Sequence, residues 1–318
     1  MPSSPLKIGV VMDPIGSITP KKDSSLAMLL EASRRGADIY YFEQADLRII
    51  DGQAIGRSTR LDVRDTDADW WTFGSKDETP LGDLDVVLMR KDPPFNMEYV
   101  YTTYVLDRAA ADGALVVNHP QALRDMNEKA YTAWFADCAP LTLITRSMAD
   151  MRAFLAEHVK IVVKPLDGMG GKSIFVVSKG DNNANVIFET LTDNGKRFAM
   201  AQLFIPEISL GDKRILLIDG EAVPYALARI PSADDNRGNL VMGAKGQGQE
   251  LSDRDREICE RVGPVLRERG VLFAGIDVIG DYLTEINVTS PTGIRELDRQ
   301  FDLNIAGQMF DAIERKLQ

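Results

Sequence analysis

Residues 160–177 read KIVVKPLDGMGGKSIFVV, and the element after the glycines decides the fold. Gly168, Gly170 and Gly171 carry no Cβ, so backbone N–H groups there can converge on an oxyanion such as a phosphate. The ending Gly171-Lys172-Ser173 matches the tail of a P-loop, but that motif needs glycine at position 166, which is Leu166. It also needs a helix next, whereas Ile174-Phe175-Val176-Val177 is a β-branched and aromatic run that predicts a strand. The segment is therefore strand, glycine loop, strand: a phosphate cradle or a plain Gly-rich hairpin turn.

Beyond residue 122 this antiparallel grammar continues. Arg214–Ile218, Val223–Ile230 and Phe273–Ile279 with Tyr282–Val288 predict strands joined by hairpins. Helices are expected over Asn127–Asp137, Met148–Glu157, Arg254–Arg269 and Asn304–Leu317. Pro264 predicts a kink or break in the third of these. Before residue 122 strands and helices alternate. Lys7–Met12 is a strand, and Ser24 or Ser25 is placed to cap a helix that Gly36 ends. Ile39–Phe42, a hairpin over Leu47–Asp62 turning at Asp51-Gly52, and Asp85–Met89 come next, then a helix at Glu98–Ala111 and a strand at Ala114–Val117. This rhythm means parallel βαβ units with ligands at the strands' C-terminal ends, where Arg90 stands. The fold class is α/β in residues 1–122 and α+β after it.

Composition narrows the function. A chain of 318 residues suggests about two domains. Its 37 Lys and Arg against 48 Asp and Glu leave a net charge of -11, which argues against a nucleic-acid or membrane-surface partner. A small anionic ligand held by a few local cations remains compatible. Two cysteines, Cys138 and Cys259, and two histidines, His119 and His158, exclude a disulfide framework and leave a zinc site short of ligands. The apolar run Ile8–Met12 is too short for a signal peptide and no run approaches the ~20 residues of a membrane span, so a cytoplasmic protein is expected.

Two further segments bear on chemistry. In FAGIDVIGDYLTEINVTSP, residues 273–291, Glu285 and Asn287 lie two apart on a strand and share a face. With Asp277 they form a hard, all-oxygen set suited to Mg²⁺, unless they are merely the strand's solvated face. A two-residue turn at Gly280-Asp281 would pair Ile276 with Glu285; a three-residue loop, Gly280 to Tyr282, pairs Asp277 with Glu285, and that loop is the expectation. Pro231–Glu250, with four glycines and no periodicity, reads as a long structureless loop, either an active-site lid or a disordered surface segment. Arg237 and Lys245 favour the lid reading if the ligand is a phosphate, and Lys129, Lys164, Arg214, Arg229 and Arg295 could together supply positive charge for a nucleotide and a peptide carboxylate, although each alone is more often a surface charge.

Seven collinear stretches resemble the prokaryotic-type glutathione synthetases, a family of ATP-grasp ligases: VMDPI (11–15), KKDSS (21–25), LMRKDPPF (88–95), RDMNEKAYTAWF (124–135), KPLDGMGGKSIF (164–175), LARIP (227–231) and LTEINVTSPTGIRE (283–296). The resemblance runs nearly end to end. It implies an ATP-grasp fold behind a Rossmann-like parallel-sheet domain, with divisions at 1–122, 123–202 and 203–318, the last carrying the lid loop and metal site.

The implied reaction joins γ-L-glutamyl-L-cysteine to glycine through an acyl phosphate, with ATP as co-substrate and two Mg²⁺ ions, or Mn²⁺ in their place. Lys129, Lys164, Gly168, Gly170, Gly171, Ser173, Gln202, Leu203, Phe204, Asp212 and Arg214 are implied to bind nucleotide, and Asp277, Glu285 and Asn287 the metal. Arg90, Arg229, Ser290 and Thr292 are implied to contact the peptide, and Arg214, Arg229 and Arg237 to act in catalysis. Lys172 stands where the family often has a small residue and Lys245 where it often has arginine; both keep or add positive charge. The family also implies a homotetramer. The competing readings are another ATP-grasp ligase, of D-alanine–D-alanine or amino-acid-adding type, and a non-catalytic nucleotide-binding regulator, which would lack metal ligands.

Overall fold

The structure, a computed structural model, describes residues 4–168, 171–230 and 245–318. Three sheets succeed one another along the chain. The first holds β1 (Lys7–Val11), β2 (Asp38–Phe42), β3 (Leu47–Ile50), β4 (Gln53–Val63), β5 (Trp71–Pro80), β6 (Val86–Met89) and β7 (Leu115–Val117). Its order is β3-β4-β2-β1-β6-β7, with β5 on β4, and β2-β1-β6-β7 run parallel. Helices α1 (Ser24–Arg34) and α2 (Met97–Ala111) make the crossovers after β1 and β6. The cap of α1 is Asp23, whose carboxylate accepts the Leu26 N–H at 2.6 Å. Neither Ser24 nor Ser25 caps, because both hydroxyls are spent elsewhere: Ser24 Oγ accepts the Ile294 N–H and Ser25 Oγ accepts Arg90 Nε. Helix α3 (Pro120–Asp125) spans the junction drawn after residue 122.

Next come β8 (Thr142–Thr145), α4 (Met148–His158), β9 (Lys160–Pro165), β10 (Phe175–Ser178), α5 (Ala184–Thr192) and β11 (Ala199–Leu203), an antiparallel sheet in the order β10-β9-β11-β8. It has an apolar core of its own, in which Met151, Leu155 and Phe188 of the helices meet Ile161, Val163 and Ala201 of the strands. The helix expected over Asn127–Asp137 is a single 3₁₀ segment, Ala130–Phe135.

The last sheet runs β14-β13-β12-β15-β16, from β12 (Asp212–Ile218), β13 (Glu221–Ile230), β14 (Lys245–Glu250), β15 (Phe273–Ile279) and β16 (Tyr282–Asn287). Helices α6 (Asp253–Glu268), α7 (Ile294–Phe301) and α8 (Ile305–Leu317) complete the chain. Of the kink or break expected at Pro264, the break is absent: α6 runs through it, with Ile258, Cys259, Val262 and Leu266 buried. Residues 245–250, read as part of a structureless loop, are strand β14, paired with β13 from Ile230↔Lys245 to Tyr225↔Glu250. Of the two alternating glycines that hid it, Gly248 serves a close approach, since a Cβ there would lie 2.2 Å from the Phe301 ring. The rest of the expected lid, 231–244, lies outside the described residues.

First and last sheets share their cores: Leu88 and Val117 pack in one cluster with Leu216, Phe273 and Ile294. Asn118, 3% exposed, ties the two together through all its hydrogen-bonding capacity. Its Nδ2 donates to the Phe273 and Val288 carbonyls, each at 2.7 Å, and its Oδ1 accepts the Leu272 and Phe273 N–H groups, each at 2.9 Å.

Candidate active site

The hairpin β15–β16 turns in two residues, Gly280-Asp281, with φ +55 at Gly280, so the expected three-residue loop is not used. The pairing it was meant to produce is present all the same. Ile279 faces Tyr282 and Val278 faces Leu283, but Asp277 faces Glu285, because Thr284 is an extra residue bulged out of the ladder. Its hydroxyl fixes the bulge by donating to the Asp277 carbonyl at 3.1 Å. Asp277 and Glu285 thus share a face, and Asn287 Nδ2 reaches Asp277 Oδ2 at 3.4 Å.

Strand register brings the arginines to the same place, since Arg214 faces Asp277 and Asp212 faces Arg229 across neighbouring strands. Arg214 grips Asp277 bidentately, with Nη2 to Oδ2 at 2.9 Å, and Arg229 Nη2 lies 2.8 Å from the same oxygen while its fork holds Asp212. Burial opposes ionisation of Asp277, but the two guanidiniums outweigh it and hold the carboxyl well below the usual range. Asp212 is pushed the other way, by burial foremost, with the charge of Asp277 adding to it against Arg229.

Opposite stands a pair of buried lysines. Lys129 Nζ donates to Glu128 and to the Gly168 carbonyl at 2.6 Å, and lies 3.6 Å from Glu285 Oε1. Burial opposes its charge, yet Glu285 and Glu128 raise its pKa above the ordinary lysine value. Burial and the charge of Glu285 raise Glu128. Lys164, on β9 and 5% exposed, has no carboxylate within 4.0 Å among the described residues, and burial lowers its pKa. A buried ammonium without a partner, facing open space, is a place for an anion.

These groups line one cavity of about 490 Å³ between the second and third sheets. Of the residues singled out in the sequence it gathers Lys129, Lys164, Gly168, Gly171, Lys172, Gln202, Leu203, Phe204, Asp212, Arg214, Arg229, Asp277, Glu285, Asn287, Ser290 and Thr292. Ser173 and Arg90 are not on its wall. Arg90 is 6% exposed, its Nε on Ser25 Oγ and its Nη2 on the Pro291 carbonyl, both at 3.0 Å, so it holds the 289–292 stretch from behind. Gly170 and Arg237 lie outside the described residues.

At the end of β11 the Leu203 and Phe204 N–H groups are already given to the Leu141 and Lys160 carbonyls, at 3.0 and 3.3 Å. Ile205, the next wall residue, makes no such donation among the described residues, so its N–H is the free donor there. Val162, Ile174, Val176, Ile208 and Ile279 add apolar side chains to the same wall. Sequence reasoning missed Glu128, Ile205 and Asp92. The first adjoins Lys129, but nothing in a lone sequence marks it as facing Glu285.

The donor set fits a divalent cation. Among the described residues no three His, Cys, Asp or Glu side chains surround one point, so the set depends on the Asn287 amide as its third member. Two carboxylates and an amide oxygen suit Mg²⁺ when substrate phosphates complete the shell. No helix among the described residues is long and apolar enough to cross a membrane.

Comparison with known proteins bears on the family and the fold. Residues 6–124 match the family profile described as "Prokaryotic glutathione synthetase, N-terminal domain", and residues 128–302 the one described as "Prokaryotic glutathione synthetase, ATP-grasp domain". The chain belongs to the prokaryotic glutathione synthetase family. Among relatives, the glutathione synthetase of Salmonella typhimurium is 55% identical over 312 residues, 98% of this chain and 99% of that protein. That of Escherichia coli K12 is 53% identical over 313 residues, with the same coverage. Solved structures extend the fold beyond the glutathione synthetase family. A D-cycloserine synthetase covers 98% of this chain and 100% of its own, with TM-score 0.69 at 16% identity. The D-alanyl-alanine synthetase A of Vibrio cholerae covers 98% of both chains, with TM-score 0.61 at 11% identity. The fold is ATP-grasp, and the chain is an ATP-dependent carboxylate–amine ligase that uses a divalent metal.

Proposed function

We propose that the chain joins the cysteinyl carboxyl of γ-L-glutamyl-L-cysteine to the amine of glycine, yielding glutathione, ADP and phosphate. The observation that carries this reading is a buried Lys164, without a carboxylate partner among the described residues, on one cavity with an acidic hairpin, in a chain more than half identical to glutathione synthetases.

A carboxylate resists attack by an amine, so its oxygen first takes the γ-phosphoryl group of ATP, and the amine then displaces phosphate from the acyl phosphate. Lys129 and Lys164 meet the nucleotide's phosphates, with Gly168, Gly170, Gly171 and Ser173 folding over them. The apolar wall beside Gln202, Leu203 and Phe204 takes the base, with the Ile205 N–H as donor, and Asp212 adjoins the ribose. Asp277, Glu285 and Asn287 would hold two Mg²⁺, or Mn²⁺ in their place. When bound, the ions would offset charge on the transferring phosphoryl group. Arg214, Arg229 and Arg237 stabilise charge that develops on the oxygens. Ser290, Thr292 and Arg229, backed by Arg90, orient the peptide. Water is excluded while the acyl phosphate exists, the role assigned to residues 231–250.

The divisions at 1–122, 123–202 and 203–318, a homotetramer and a cytoplasmic location belong to the same proposal. ADP release with γ-glutamylcysteine plus glycine, compared with release on D-alanine alone, tests it. Turnover only with D-alanine would assign the chain to the other ligase type.

A further inference from the structure

The cavity wall carries five carboxylates, Asp92, Glu128, Asp212, Asp277 and Glu285. Four have a lysine or arginine within 4.0 Å: Lys129 serves Glu128 and Glu285, Arg229 serves Asp212, and Arg214 serves Asp277. Asp92 has none among the described residues, although Lys91 is its neighbour in sequence. The Lys91 ammonium is turned to Asp13 Oδ1 at 2.8 Å and to the Asp92 main-chain carbonyl at 2.8 Å, away from the Asp92 carboxylate.

That carboxylate is nonetheless held in place. The Asp92 N–H donates to Asp13 Oδ2 at 3.0 Å, and Ser290 Oγ donates to Asp92 Oδ1. Two loops from different sheets therefore present an oriented, exposed acid on the cavity wall. An oriented carboxylate without a cation is a site for one.

We propose that Asp92 binds a primary ammonium group of the substrate, the α-ammonium of the γ-glutamyl end, and so determines specificity for a free amine there. The inference rests on the ligation proposed above and adds a residue to its substrate recognition. Distance favours this amine. Ser290 lies three residues beyond Asn287, a stretch that spans at most ~10 Å. The α-ammonium of γ-glutamylcysteine is seven bonds from the carboxyl that reacts, roughly 9 Å when extended. A dipeptide whose carboxyl sits at the Asp277–Glu285 hairpin can thus place its ammonium at Asp92. Glycine cannot use Asp92 while reacting, because its own amine must touch the acyl carbon.

The test compares γ-glutamylcysteine with its Nα-acetyl form in the wild-type enzyme and in Asp92→Asn, which keeps an acceptor for Ser290. Steady-state ADP release and calorimetric binding of each dipeptide are the readouts. Wild type should prefer the free amine by about 10- to 100-fold, the range for a hydrogen bond to a charged group. In Asp92→Asn the KM and Kd for γ-glutamylcysteine should rise by that factor, with the two dipeptides then within about threefold of each other. The KM values for ATP and glycine should stay as they were, which shows the variant folded. Undiminished discrimination in Asp92→Asn overturns the inference, as does a rise confined to the glycine KM. A wild type that neither binds nor consumes either dipeptide overturns the ligation itself, a separate result.

Discussion

Removing the Asn118 side chain should loosen the joint between the first and last sheets by a calculable amount. Alanine at this position strands four buried main-chain groups: the Phe273 and Val288 carbonyls and the Leu272 and Phe273 N–H groups. An unsatisfied buried group costs ~1–3 kcal/mol, and water entering the vacated space holds each near the lower end. The sum is about 4 kcal/mol, a large share of a typical domain's stability. Asn118→Asp keeps both N–H bonds but turns an anion toward two carbonyls, so it should cost at least as much at neutral pH. Its carboxyl, buried without a cation, would have a raised pKa in the folded state. Some stability should therefore return as pH falls toward 5, when a protonated oxygen can donate to one carbonyl. Urea unfolding monitored by tryptophan fluorescence measures both variants. A loss under about 1 kcal/mol for Asn118→Ala would show that the amide is not the joint described, and a pH-independent Asn118→Asp would show that its charge is not buried.

Groups at and beyond the cavity give two other expected outcomes. Glu285→Gln removes one of the two carboxylates in the proposed metal set, so turnover should fall by about 100-fold or more and Mn²⁺ binding in the presence of ADP should weaken with it; near-normal binding would remove Glu285 from the metal set. Burial pushes Asp298 up to about 6 from an ordinary 3.8, against the Ile305 N–H and Arg295. Its ionised form is the disfavoured one when folded, so it costs stability above pH 6 and little below 4. Asp298→Asn, which still accepts the Ile305 N–H, should raise Tm at pH 8 and leave it unchanged at pH 4; an equal gain at both would refute the assignment.

Much of this architecture is written in local pattern, and its gaps have physical causes. The parallel strands of the first sheet are legible because buried strands between helices read as unbroken apolar runs. Strand β14 is not, because Gly246 and Gly248 mimic a loop, while Gly248 meets a demand set by Phe301, more than fifty positions away. The Asp277–Glu285 pair is reached from the sequence through the wrong turn: a bulge and an added loop residue shift register equally, and the chain uses the bulge, where the Thr284 hydroxyl donates to the Asp277 carbonyl. Asp23 displaces two serines as a cap because those serines are claimed by residues far along the chain. Lys129, Lys164 and the arginines carry a motif; Glu128 and Asp92 acquire meaning only from what faces them.

The middle sheet keeps its apolar contacts to itself, and this sets the terms for widening the cleft. Tilting β8–β11 away from the hairpin exposes little oil. Polar stitches such as Asn127 to the Leu166 carbonyl and Lys129 to the Gly168 carbonyl resist it instead. A polyphosphate that recruits the Lys129 ammonium competes for one of those stitches, so the arriving tail and the latch across the entrance draw on the same three protons.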